Sequence, residues 1–207
     1  MEPAFDPNDH DVFLLRQRWA PVINRYVFSL PDAQGKEGVP FAFVEQKRFK
    51  FKEDIRFYTD ESKTTELLRI KARQRFDPAA RYDITGPGGA KIGEIQKVFG
   101  KSLLRSSYRL YGPDGQEVCE ATERSLGVAL FRRLVGFVPY IGDFADWLPI
   151  PYHFVFRSGD QVLANHTREL WKLTDHYTID CTPDTEHVLD RRLVLAAAVG
   201  MDALQAR

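Results

Sequence analysis

Near the end of the chain, Leu193–Leu204 reads LVLAAAVGMDAL, a run of twelve residues in which Asp202 is the only charge. A helix on a protein surface needs one apolar stripe, whereas a helix apolar on every side has to be enclosed. Lipid is a poor enclosure for this one. A span takes about 20 apolar residues to cross roughly 30 Å of hydrocarbon, and this run rises only about 18 Å. The expectation is a helix buried in protein, with the rest of the chain forming a wall around it.

Upstream, the wall is legible as a repeated two-strand unit. Arg81–Lys97 (RYDITGPGGAKIGEIQK) and Ser107–Glu123 (SYRLYGPDGQEVCEATE) align without gaps at an offset of 26 residues. Tyr82 matches Tyr108, Ile84 matches Leu110, Gly86-Pro87 matches Gly112-Pro113, and Glu94 matches Glu120. Each unit alternates apolar and polar residues, turns at Gly and Pro, and alternates again, which is the pattern of a β-hairpin. Pro151–Arg168 gives a looser third unit that turns at Ser158-Gly159-Asp160, and Ile55–Gln74 a fourth with a longer loop. Strand-like runs also occupy Val12–Trp19, Arg25–Leu30, Phe41–Phe51 and His176–Cys181.

About ten to twelve strands joined by short turns predict an antiparallel meander, and closing such a sheet removes both of its exposed edges. A barrel of about twelve strands is wider than the eight-strand case that its own side chains can fill, so the apolar helix becomes its plug. Thr182 and Pro183 read as N-cap and first helical position, with Asp184 and Glu186 in the first turn. The central helix is therefore expected over about 183–205. The fold class is mainly β: a closed antiparallel barrel of about twelve strands around a buried hydrophobic C-terminal α-helix. It forms one domain over 1–207 with a partly helical apolar insertion over about 124–151.

Hairpins of the type YDITGPGGAKIGEI, followed by HYTIDCTPDTEHVLDRRLVLAAAVGMDAL, resemble the tubby C-terminal-like superfamily, especially its LURP-one-related and phospholipid scramblase-like members. The resemblance covers Val22 to Leu204. It implies a twelve-strand barrel around a hydrophobic C-terminal helix, and a protein that acts at membranes rather than on a reaction. The proline-rich region, cysteine cluster and acidic calcium-binding segment of scramblases have no counterpart in this sequence, so the resemblance does not extend to calcium-triggered scrambling.

Composition narrows the partners. Twenty-nine basic residues balance twenty-nine acidic ones, so no net field draws the chain to nucleic acid, and an electrostatic site must come from local segregation. Cys119 and Cys181 stand alone, without the paired spacing of a zinc site or the density of a disulfide scaffold. The opening MEPAFDPNDHDVF lacks the basic patch and apolar run of an export signal. A cytoplasmic protein, peripheral at the inner membrane face, is the expectation.

Such segregation occurs in two runs. In ELLRIKARQRF, Arg69, Lys71, Arg73 and Arg75 fall on alternate positions, so a strand places them on one face with Ile70 and Ala72 on the other. In EQKRFKFKE, Arg48, Lys50 and Lys52 do the same against Phe49 and Phe51. With these strands side by side, all seven cations share a patch suited to anionic phospholipid or phosphoinositide head groups. The other reading is a solvated barrel exterior whose cations pair with Glu45, Glu66, Glu94 and Glu120.

A second candidate is the apolar insertion. At 100° per residue, Leu126–Val138 gathers Arg132 and Arg133 with Ala129 and Gly136 in one sector, leaving Phe131 and Phe137 among the apolar rest; Tyr140, Phe144 and Trp147 follow. Such a segment caps one barrel mouth, lies in a membrane interface, or docks a protein partner or second copy through residues 126–150.

Weaker constellations remain. His153, His166, His176 and His187 fit no metal motif, Asp143 and Asp146 read as turn and cap residues, and no nucleophile sits in a recognisable elbow. No catalytic residue, metal or cofactor is expected. The sequence reads as a non-enzymatic binding module for anionic lipid, or alternatively as an interaction scaffold that works through its insertion.

Overall fold

The computed structural model describes residues 5–18, 23–47, 54–73, 81–98, 107–124, 153–169 and 175–205, the side chains of 47, 175 and 202–205 excepted. Its strands are β1 (Val12–Arg18), β2 (Ile23–Pro31), β3 (Glu37–Lys47), β4 (Asp54–Tyr58), β5 (Glu66–Ala72) and β6 (Arg81–Thr85). They continue with β7 (Lys91–Val98), β8 (Ser107–Tyr111), β9 (Glu117–Glu123), β10 (His153–Ser158), β11 (Gln161–Glu169) and β12 (Asp175–Asp180). Among the described residues one α-helix, α1 (Arg191–Gln205), follows. Each strand pairs antiparallel with its neighbours in sequence, and β1 pairs with β12, from Val12↔Asp180 to Gln17↔Asp175, to close a twelve-strand barrel. Each described strand therefore has a neighbour on both sides.

Period-two alternation decides which side chains point inward. Phe13 and Leu15 of β1, Phe28 of β2, Leu68 and Ile70 of β5, and Phe154 and Phe156 of β10 are all buried in one cluster with the helix. From Leu193 to Val199 every helical residue is at most 1% exposed, and Met201 is fully buried. Leu193–Met201 is thus enclosed within the barrel, as an all-apolar helix requires.

The helix does not begin where Thr182-Pro183 suggested; it starts at Arg191, eight residues later. A carboxylate is the cause. Asp184 accepts hydrogen bonds from the amides of Val188 (3.0 Å) and Leu189 (2.9 Å), amides that a helix begun at Pro183 would direct to main-chain carbonyls. Thr182 donates its amide and hydroxyl to Asp180 instead of capping. His187 adopts φ 51°, in the left-handed region, and the segment folds as successive turns. The cap is Asp190, which accepts from the Arg192 amide at 2.9 Å.

Arg191 is fully buried at the barrel base. Its guanidinium donates to Asp184 (2.6 Å), to the Leu189 carbonyl (2.8 Å) and to Asp11 (2.7 Å), while its amide donates to Asn8 (2.9 Å). Burial alone would raise the Asp184 pKa. The bonds from Leu189, Arg191 and Val188 outweigh burial and hold this carboxyl below its usual value. One buried cation therefore ties the helix start to the preceding turn and to the segment before β1.

Two glycines mark how closely helix and wall approach. A Cβ on Gly93 of β7 would stand 2.3 Å from the Tyr111 carbonyl oxygen and 3.3 Å from Leu193, whereas one on Gly200 would meet only Ile70 and Ile95, at 3.8 and 3.9 Å. Gly93→Ala is expected to destabilise the barrel by about 1–3 kcal/mol through overpacking. Gly200→Ala should stabilise it by up to about 1 kcal/mol through helix propensity; thermal unfolding of the pair reads both signs. In urea titrations, Arg191→Met should cost about 3–5 kcal/mol because Asp184 is left charged and buried, and adding Asp184→Asn should recover part of that loss.

Candidate functional site

The outer face of β4–β7 holds the described part of the cationic stripe. Alternation carries Arg69, Lys71 and Arg73 outward while Ile70 turns in at 2% exposure. Carboxylates interleave with them. Arg69 meets Asp54 through a bidentate pair at 2.6 Å on both oxygens, and Arg73 reaches Asp83 at 2.7 Å and Glu94 at 2.6 Å. The Arg69 bond, with its charge and that of Arg56, holds Asp54 below the usual carboxylate range against the opposing effect of burial. Glu94, whose side chain is 5% exposed, also takes Lys91 (2.7 Å) and Arg81 (3.4 Å). Burial would raise its pKa, and bonds from Lys91 and Arg73 bring it below normal instead. Arg81 additionally lies over the Tyr111 ring at 5.1 Å.

Strand β5, which carries Arg69 and Lys71, does not adjoin β3. β4 stands between β3 and β5, pairing Val44↔Phe57 on one side and Arg56↔Arg69 on the other. Arg48, Lys50, Lys52 and Arg75 lie outside the described residues, as do Phe131, Arg132, Arg133, Phe137, Tyr140, Phe144 and Trp147 of the insertion and the Asp202 side chain. Of the acids expected beside the stripe, Glu66 faces Arg56 at 3.8 Å and Glu94 joins Arg73, whereas Glu45 pairs with Arg25 and Lys63.

Sequence reasoning missed Asp54, Asp83, Arg81 and Lys91 as members of this face. The first two were within reach: in EDIRF and RYDIT the neighbouring Ile55 and Ile84 are inward, so both aspartates must be outward. Taken together, Arg56, Arg69, Lys71, Arg73, Arg81 and Lys91 face the four carboxylates Asp54, Glu66, Asp83 and Glu94. The face is a charge lattice with cations in excess, and Lys71 makes no ion pair among the described residues.

Inside the wall, chemistry is muted. Burial pushes the thiols of Cys119 and Cys181 up to about 12, so neither supplies a thiolate near neutral pH. His166 is 1% exposed, stacked between Tyr177 (5.0 Å) and Phe154 (6.5 Å), and neither ring nitrogen finds a hydrogen-bond partner among the described residues. Burial, with a smaller push from His153, lowers its pKa to about 3.

A closed antiparallel barrel of twelve strands threaded by an apolar C-terminal helix is the architecture of the tubby C-terminal-like superfamily. Within it, the LURP-one-related family model matches residues 42–202, and the chain belongs to that family. No curated protein sequence matches the chain. Among the described residues, no helix is long and apolar enough to cross a membrane.

The buried histidine sets a pH dependence. Its ordinary value is near 6.5 and its folded value about 3, so between them the unfolded chain holds the extra proton and stability falls as pH falls. From about pH 7 to about pH 5 this group should remove about 2 kcal/mol of unfolding free energy, a loss that His166→Phe is expected to abolish. Denaturant titrations at the two pH values check this, and an equal loss in the variant would count against it.

Proposed function

We propose that the chain is a non-enzymatic binding module that recognises anionic phospholipid or phosphoinositide head groups at the cytoplasmic membrane surface. The observation that carries this reading is the cation surplus on the outer face of β4–β7. There Glu94 is shared by Arg73, Arg81 and Lys91, and Lys71 has no ion pair among the described residues. A carboxylate shared three ways leaves positive potential at the surface, and each cation near an anionic bilayer contributes about 1 kcal/mol. The pairs Arg69–Asp54 and Arg73–Asp83 then serve to hold the face rigid, so the recognising groups are Lys71 and Arg81 more than the stripe as a whole. Membership of a family built on this barrel, and interior thiols too buried to act as nucleophiles, fit a binding role.

Flotation with phosphatidylcholine vesicles, with and without phosphatidylserine, tests the proposal. Binding is expected only to the anionic vesicles and should disappear as salt rises from about 0.1 M to about 1 M, where the screening length shrinks from about 10 to about 3 Å. The Lys71→Gln/Arg81→Gln variant should lower the partition by roughly tenfold or more. Binding indifferent to salt or to that variant would overturn the assignment.

A further inference from the structure

The outer face of β9–β12 carries a groove of about 630 Å3. Its floor is Val155 and Val162, and register orders the rest into rows: Val155 faces Asn165, Asn165 faces Asp180, and Thr167 faces Thr178. These short side chains leave the hollow, while Arg124 and Arg157 line it from either end. The Arg124 amide donates to the His153 carbonyl at 2.8 Å, which sets Arg124 four residues along β10 from Arg157, about 13 Å at strand rise.

Arginine pairing sets this groove apart from much of the wall. Arg25, Arg69, Arg73 and Arg109 each reach a carboxylate. Among the described residues, Arg124 makes no ion pair, and Arg157 has only the Asp160 carbonyl at 3.3 Å, although Glu120 faces it across β9. At the far wall Asp180 accepts the amide and hydroxyl of Thr182 on Oδ1, and its Oδ2 takes no hydrogen bond from a described residue. Thr178 directs its hydroxyl to Glu169 at 3.4 Å.

We infer that this groove binds a small phosphate ester of a polyol. Two guanidiniums without carboxylates present forked donors to a phosphate, whose several oxygens accept from both. A bare anion would be repelled by Asp180, so the occupant must bring donors to that end; hydroxyl groups do so, and Asn165 and Thr167 can bond the same groups. The valine floor suits the C–H face of the alcohol part. This site is separate from the cationic face of β4–β7 and does not rest on the membrane reading.

The test is a titration of the full 15N-labelled chain with myo-inositol 1-phosphate and, separately, with inorganic phosphate, following the amides of Val155, Asn165 and Thr167. Saturable shifts with the ester are expected, weakened about tenfold by Arg124→Gln or Arg157→Gln. Asp180→Asn, which keeps the Oδ1 acceptor for Thr182, should weaken the ester and tighten inorganic phosphate. No saturable shift, equal binding by the arginine variants, or tightening of both ligands by Asp180→Asn would overturn the inference. Phosphatidylinositol vesicles added as competitor separate the two sources of this chemistry: displacement of the ester assigns the groove to a lipid head group, and retention assigns it to the free ester. Lys71→Gln/Arg81→Gln should leave the titration unchanged, so a failed groove and a failed membrane face are told apart.

Discussion

The buried Arg191–Asp184 pair is the interaction on which the architecture turns. An apolar helix has no preferred rotation or depth inside an apolar cylinder, because one greasy contact replaces another at little cost. A fully buried guanidinium removes that freedom. It must stay with Asp184, Asp11 and the Leu189 carbonyl, and so it fixes the helix in depth and orientation. The same group explains the turn before the helix, since a buried carboxylate with only one cation still needs the amides of Val188 and Leu189 to satisfy it.

With the interior given over to packing, the charged groups open to solvent lie on the outer wall, and there the distribution of carboxylates matters more than the number of cations. On β4–β7 most cations are engaged by carboxylates and a surplus remains; on β9–β12 Arg124 and Arg157 make no ion pair among the described residues. A net charge of zero over the whole chain is thus compatible with surfaces of quite different character. This is why overall composition could exclude a nucleic-acid field yet say little about where an anion would settle.

Much of the barrel was legible in the sequence because closure and strand order follow from period-two alternation in the strands, and the plug from a C-terminal run apolar on every side. The matched hairpins at 81–97 and 107–123 are adjacent in the sheet as their repetition implied. What escaped depended on partners distant in sequence. Asp184 looks like a first-turn helix acid until the amides it captures are known, and the aspartates that interleave with the stripe come from β4 and β6, strands outside the cationic run itself. His166, set in the polar stretch Asn165–Arg168, carries no local mark that decides between surface and core; its register with Phe154 and Ile179 places it in the core. The groove arginines share no local motif at all, because Arg124 and Arg157 are brought together by the pairing of β9 with β10.

The seam between β1 and β12 has a further consequence. The strand made first cannot find its second neighbour until the strand made last has been synthesised, and Arg191 cannot be satisfied before Asn8 and Asp11 meet it across 183 and 180 residues of chain. A nascent chain leaving the ribosome therefore holds an open, curling sheet with greasy inner residues and two bare edges until its final segment emerges. Assembly of this domain is an end-to-end event, and the interval before closure is when it most needs protection from its own neighbours.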